Sequence, residues 1–87
     1  MAAWTIYIGN LASDTIEADL TELFLPYGPI TNASIERDDL RERAQGFVQM
    51  DEAPAQAAID ALEGSVWKGR ILLVNRARAH DHFVRRM

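Results

Sequence analysis

The sequence predicts an α+β fold whose four strands and two helices follow the order β-α-β-β-α-β. Residues 5–9 and 43–50 alternate aliphatic with other side chains, which is typical of half-buried strands. Residues 16–27 and 53–62 repeat apolar residues every three or four positions, which is typical of amphipathic helices. We therefore expect a two-layer sandwich with a four-stranded antiparallel sheet, both helices on one face and the other face open.

Two of these strands carry an aromatic residue on the side away from the core. In residues 5–9, Tyr7 points opposite to Ile6 and Ile8. In residues 43–50, Phe47 lies opposite the face that holds Ala44, Gly46, Val48 and Met50. An aromatic ring held outward on a rigid strand is suited to stacking on a nucleobase.

The helices have recognisable starts and stops. The first is expected to begin with Asp14 or Thr15 as N-cap and to end near Pro26. Its buried stripe comprises Ile16, Leu20, Leu23, Phe24 and Tyr27. The second should cover residues 53–62 and stop at Gly64 in a left-handed conformation. Its buried stripe comprises Ala55, Ala58, Ile59 and Leu62.

The two remaining strands complete the sheet. Residues 30–37 form the second strand, with Asn32, Ser34 and Glu36 outward. Residues 70–76 form the fourth strand, with outward residues Ile71, Leu73 and Asn75. Trp67 lies in a hairpin-like connection before this strand and is expected to cover one end of the core, and Trp4 is expected to plug its edge.

Charge is unevenly distributed along the 87 residues, whose net charge is −4. Residues 1–63 hold twelve acids against three arginines, whereas residues 64–87 hold six basic residues against Asp81 alone. This polarity predicts an acidic helix layer and a basic rim on the open sheet. The chain has no cysteine, no signal-peptide pattern and no apolar run near the ~20 residues of a membrane helix. A cytoplasmic location is expected, or a nuclear one in a eukaryote.

With these elements in place, the chain resembles the RNA recognition motif family. Residues 6–11, Ile-Tyr-Ile-Gly-Asn-Leu, match the six-residue motif of that family at every position, and residues 43–50 match most of its eight-residue motif. The resemblance covers residues 4–77 and implies a ferredoxin-like sandwich. It places the domain at residues 1–78, followed by a short basic tail at residues 79–87. The chain is similar to the small single-module RNA-binding proteins of bacteria and organelles, which act on RNA after transcription.

The resemblance implies roles for individual residues. Tyr7 and Phe47 would each stack a base of single-stranded RNA, and Arg43 would contact a phosphate. Gln45 stands where the family normally has a third aromatic residue, so we expect binding to be weaker by roughly tenfold or more. The residues expected to contact RNA lie on the open face or its rim: Tyr7, Asn10, Asn32, Ser34, Arg43, Gln45, Phe47, Leu73, Asn75, Arg76 and Arg78.

Other interpretations compete with this one. The same fold can hold a protein partner, so a protein-interaction module with weak or no RNA binding is the alternative. Phe83 and Val84 in the tail could fold back over the aromatic rings. His80 and His82 are expected to be solvated rather than to bind a metal, and no acidic pair is accompanied by a nucleophile. We therefore expect a monomer without catalytic activity, cofactor or small-molecule substrate, which binds single-stranded DNA weakly at most.

Overall fold

The structure, a computed structural model, describes residues 3–77. The elements in chain order are β1 (Ala3–Ala12), α1 (Glu17–Phe24), a 3-10 turn (Leu25–Tyr27), β2 (Ile30–Asp38), β3 (Arg43–Asp51), α2 (Glu52–Leu62), β4 (Val66–Trp67), β5 (Arg70–Ile71) and β6 (Leu73–Ala77). The predicted βαββαβ order is confirmed, with a short β4–β5 hairpin added before the last strand. Neither α-helix of this described part is long and apolar enough to cross a membrane.

The main sheet has the strand order β2-β3-β1-β6, and all neighbours are antiparallel. β1 is an inner strand, so its side chains have neighbours on both sides. Tyr7 pairs with Phe47 on β3 and with Asn75 on β6. Directly paired residues share a face of the sheet, so these three side chains lie together on the open face.

The core lies between the sheet and the helices, as the alternation predicts. It contains inward residues of β1, β3 and β6, Leu72 between β5 and β6, and part of the predicted stripes of both helices: Ile6, Ile8, Leu11, Leu20, Phe24, Ala44, Val48, Met50, Ala55, Ala58, Leu62, Leu72 and Val74. Ile16, which was predicted to be buried in the stripe of α1, is 47% exposed, so that part of the prediction is wrong. Gly46 allows α1 to approach closely, because a Cβ there would lie 2.5 Å from Cδ1 of Leu20. Trp4 and Trp67 pack against this core from its periphery, as expected.

β1 is longer than the predicted strand and contains an irregularity. It runs to Ala12, but its pairing with β3 shifts between Ile8 and Leu11. Asn10 lies in this bulge with a φ of 65°. Asparagine tolerates the left-handed region better than most residues, which suits it to this position. The bulge lets the strand continue instead of ending at Gly9.

The predicted N-cap of α1 is wrong. Ile16 occupies the N-cap position, and no side chain there makes a capping hydrogen bond. Instead, the carboxylate of Asp19 accepts a hydrogen bond from the backbone N–H of Ile16 at 3.0 Å. Thr15 is fully buried beside the core. The start of α1 is therefore held by the carboxylate of Asp19 in the first turn, which accepts from the N–H of Ile16, and not by a cap from Asp14 or Thr15.

The predicted fourth strand, residues 70–76, is divided in the structure. Arg70 and Ile71 pair with the two residues of β4 in a separate hairpin. Only β6 joins the main sheet, and buried Leu72 separates the two pieces. Ile71 is therefore not a member of the open sheet face beside Tyr7, which corrects the expectation.

Candidate nucleic-acid interface

The open face of the sheet carries most of the residues expected to contact RNA. The register places their side chains on one side: Tyr7, Asn32, Ser34, Arg43, Gln45, Phe47, Leu73 and Asn75. The helices cover only the opposite side. These polar and aromatic side chains therefore form a continuous surface across four strands.

Tyr7 lies at the centre of this surface, and its ring extends along β1 over Gly9. A Cβ at Gly9 would lie 2.9 Å from Cζ and 3.0 Å from Cε2 of the Tyr7 ring. Such contacts are too short, so the ring can adopt this position only because residue 9 is glycine. Tyr7 is half-buried, so part of its surface remains accessible to solvent.

Phe47 is less accessible than the sequence suggests. Its ring centroid lies 5.9 Å from that of Tyr7, with the two planes tilted by 59°. Only 8% of Phe47 is exposed. Of the two rings expected to stack bases, that of Tyr7 is therefore the more accessible. A base could stack on Phe47 only after the atoms that cover it move aside, whereas Tyr7 offers accessible surface in the present conformation.

A groove with a volume of about 650 Å³ lies beside Tyr7, between the sheet and the β2–β3 loop. Its walls include Leu73 from β6 and Gln45 from β3. Leu40, at the tip of the loop, also lines the groove and is 97% exposed. This volume falls in the usual range for ligand pockets, about 300–1,000 Å³.

Three arginines line the groove, and they differ in their hydrogen bonds and ion pairs. Arg37 donates from Nε to the carbonyl of Ser13 at 3.0 Å and from Nη2 to that of Thr15 at 2.7 Å. Arg41 forms an exposed ion pair with Asp38 at 3.4 Å. The guanidinium of Arg43 makes no hydrogen bond or ion pair within residues 3–77, so it is the arginine most available to an anionic ligand.

Gln45 is paired with an acid. Its side-chain amide donates a hydrogen bond from Nε2 to Oε1 of Glu36 at 2.8 Å. The two residues lie directly opposite each other on β3 and β2. The position that normally holds an aromatic platform therefore holds a polar pair, and both of its members line the groove beside Tyr7.

Asn10 has a structural task that its motif position does not reveal. Its amide donates to the carbonyl of Ile71 at 2.7 Å. Arg70 donates from Nε to the backbone carbonyl of Asn10 and from Nη2 to its side-chain oxygen, both at 3.0 Å. We call these contacts of Asn10, Arg70 and Ile71 the hairpin clamp. They fix β4–β5 against the bulge, so neither Asn10 nor Arg70 is a freely available RNA contact.

Arg76 points away from the open face. It pairs with Ile6, whose side chain is buried on the helix side. Its guanidinium carbon lies 4.2 Å from the centroid of the Trp4 ring, a cation–π contact at the sheet edge. Arg76 therefore lies at the edge of the sheet with its side chain toward the helix side, and its expected contact with RNA stays a prediction. Arg78, His80, His82, Phe83 and Val84 lie outside the described residues.

Sequence reasoning missed Glu36 as a member of the groove. The signal was present, since the loop between Asp38 and Arg43 has only four residues. A short hairpin fixes register, and this register places Glu36 opposite Gln45. The partner of Asn10 carried no comparable signal, because Arg70 is distant in sequence.

The chain belongs to the RNA recognition motif family. The profile of that family matches residues 6–73, which include both strand motifs and the two helices. The membership inferred from the motifs is thus confirmed, and so is the fold class. The crystal structure of RNA binding protein PG1 is 40% identical, with a TM-score of 0.76 over 85% of this chain and 93% of that chain.

Two curated relatives are of the small type that the sequence suggests. RbpE of Nostoc sp. is 42% identical over 80 residues, which cover 88% of this chain and 81% of the relative. RbpA of Synechocystis sp. is 42% identical over 81 residues, covering 90% and 80%. The chloroplastic RNA-binding protein CP31B of Arabidopsis thaliana is 40% identical, but the match covers 87% of this chain and only 27% of that longer protein.

Proposed function

We propose that this protein binds single-stranded RNA on the open face of its sheet, with Tyr7 as the principal stacking platform. The observation that carries the proposal is the placement of the Tyr7 ring over Gly9 at the centre of a polar, helix-free face. Membership of the RNA recognition motif family and a relative named as an RNA-binding protein support RNA as the partner. Base–aromatic stacking is tolerant of sequence and suits single strands.

The other residues have graded roles in this proposal. Arg43 contacts a phosphate, which its lack of partners within residues 3–77 supports. Phe47 stacks a second base after it is uncovered, so it contributes less than Tyr7. The edge of the interface comprises Asn32, Ser34, Leu73 and Asn75. Arg78 and the basic residues 79–87, which we assign to a tail after the domain at 1–78, add phosphate contacts.

Titration of labelled single-stranded RNA octamers tests the proposal. Tyr7→Ala should weaken binding by roughly 1–3 kcal/mol, about fivefold to more than a hundredfold, because one stacking platform is lost. Tyr7→Phe keeps the ring and should retain most of the affinity. Leu25→Ala, an exposed change in the helix layer, is the matched control. Equal affinity of Tyr7→Ala and the unaltered protein would refute the proposal.

The proposal also covers the oligomeric state, activity and location of the protein. It acts as a monomeric binding module without catalysis, in the cytoplasm or in a nucleus where there is one, and it regulates RNA after transcription. It binds single-stranded DNA more weakly than RNA. Within residues 3–77 no group of three or more metal-ligating side chains comes together. Sedimentation of the pure protein and titration of matched DNA and RNA octamers test these points.

A protein-interaction module is the second candidate. It is favoured by an exposed apolar pair on the hairpin, Val66 at 71% and Ile71 at 58% exposure, which face each other across the two strands. The RNA titration decides between the candidates. An octamer that fails to bind the folded protein at high concentration would leave the hairpin pair as the leading site.

A further inference from the structure

The loop between β2 and β3 presents an apolar side chain to the groove beside Tyr7. Leu40 lies at the tip of this loop and is 97% exposed, yet it lines the same groove as Tyr7. Its neighbours Asp39, Arg41 and Glu42 are charged. An exposed leucine loses contact with water when a ligand fills the groove, which favours the binding of apolar surface there.

A closed turn holds Leu40 in this position. The backbone N–H of Arg41 donates to the backbone carbonyl of Asp38 at 3.2 Å and to its Oδ1 at 3.3 Å. The guanidinium of Arg41 also pairs with Oδ2 of Asp38 at 3.4 Å. These contacts restrict the loop, so less conformational freedom is lost when Leu40 contacts a ligand.

A second exposed leucine lies on the other side of Tyr7. Leu73 on β6 is 47% exposed, lines the groove and pairs directly with Gly9. The Tyr7 ring extends over Gly9, so Leu73 lies beside this ring on the open face. The strand order β2-β3-β1-β6 places the β2–β3 loop and β6 on opposite sides of β1. Leu40 and Leu73 therefore flank the Tyr7 ring from opposite directions.

From this arrangement we infer that Leu40 and Leu73 form an apolar clamp that encloses a nucleobase stacked on Tyr7. A base has two π-faces, and the Tyr7 ring covers only one of them. Arg43 lines the same groove and makes no hydrogen bond or ion pair within residues 3–77, so the occupant that fits is a nucleotide with its phosphate. The inference rests on the proposed function and adds to it Leu40, a contact residue outside the sheet.

The clamp adds affinity without selecting one base, because a leucine side chain makes no hydrogen bond. Titration of labelled adenosine and uridine octamers tests it. Leu40→Ala should weaken binding of both octamers by roughly threefold to tenfold, because most of the apolar contact from the loop is lost. Leu25→Ala makes the same change at a residue that is 53% exposed in the helix layer, and it should leave both affinities unchanged. In a Tyr7→Ala background, Leu40→Ala should have little further effect, since no stacked base is then enclosed.

Two further measurements distinguish the clamp from phosphate contacts of the loop. Leu40→Ala should leave the dependence of affinity on salt unchanged, whereas Arg43→Ala should lower its slope by about 0.7 for one lost phosphate contact. In methyl-labelled protein, the Leu40 methyl resonances should shift when the adenosine octamer binds, because the ring current of an enclosed base acts on them. The methyl resonances of Leu25 should not shift.

The clamp is overturned if Leu40→Ala binds both octamers as tightly as the unaltered protein does, or if the Leu40 methyl resonances do not move when RNA binds. Either result leaves the proposed function intact. If neither octamer binds the unaltered protein at high concentration, the proposed function falls together with the clamp.

Discussion

Lys68 and Asp19 form an ion pair of 3.2 Å that joins the β4–β5 hairpin to α1. Asp19 also accepts the backbone hydrogen bond from Ile16 that begins the helix. These contacts hold the pKa of Asp19 below its ordinary value of 3.8, with the backbone bond as the larger cause and Lys68 as the second. One carboxylate thus secures both the start of α1 and the position of the hairpin.

Acidification should therefore weaken the fold through Asp19. Because the folded-state pKa is lowered, the stabilising contribution of Asp19 is fully present above pH 3.8 and is lost as the pH falls through the folded-state pKa. Asp19→Asn should be less stable than the unaltered protein at pH 7, and the difference should shrink below pH 3.8. Urea denaturation between pH 2 and pH 7 measures this, with Glu22→Gln as the control. Parallel pH profiles for the unaltered protein and Asp19→Asn would contradict the assignment.

The hairpin clamp should show strong coupling between its two side chains. Arg70→Ala removes two hydrogen bonds from a charged, partly buried donor and should cost about 1–3 kcal/mol of unfolding free energy. Asn10→Gly keeps the left-handed backbone and removes the side-chain oxygen and amide. The double variant should lose less than the sum of the single losses, as a double-mutant cycle in urea would measure. If the two single losses of unfolding free energy add exactly, the contact between the Arg70 and Asn10 side chains contributes nothing to stability.

Gly9→Ala should impair RNA binding through the position of the Tyr7 ring. The added Cβ would meet the ring, so the ring must rotate out of the groove. We expect an affinity loss of roughly 1 kcal/mol or more, up to the full value of a stacked base. In a Tyr7→Ala background the same change should have no further effect on affinity, since there is no ring to displace. An equal loss of RNA affinity in both backgrounds would show that Gly9→Ala does not act through the Tyr7 ring.

Gln45→Phe should tighten RNA binding. It restores an aromatic platform, so affinity for a plain uridine octamer should rise by roughly 1 kcal/mol or more. Titration of a labelled uridine octamer into the variant and the unaltered protein measures the change. Unchanged affinity for uridine would show that a third platform does not limit binding.

Much of the fold was predictable because side-chain alternation and helical periodicity are local signals. They placed Ile6 and Ile8 inside and Tyr7 outside, as the structure has them. The bulge at Asn10 was not predictable, because its partner Arg70 lies on a hairpin that only the complete fold brings near. The N-cap was missed because Thr15 is drawn into the core, which overrides its local preference.

The position of the site was predictable from the sequence, but the contacts and exposure of its side chains were not. Alternation alone places Arg76 on the same side as buried Val74, but its contact with Trp4 at the sheet edge appears only in the complete fold. The low exposure of Phe47 depends on tertiary packing, which a strand pattern does not contain. The Glu36–Gln45 pair follows from hairpin register, but its position in a groove beside Tyr7 depends on the complete fold.

The strand order has a consequence for synthesis of the chain. The inner strand β1 leaves the ribosome before its partner β6, whose last residue, Ala77, pairs with Thr5. Translation proceeds from the N-terminus, so a nascent chain cannot finish this sheet until nearly the whole domain has emerged. During that interval β1 has an unpaired edge, which can pair with another chain. Rapid completion of translation, or a chaperone that shields this edge, should therefore increase the yield of folded protein.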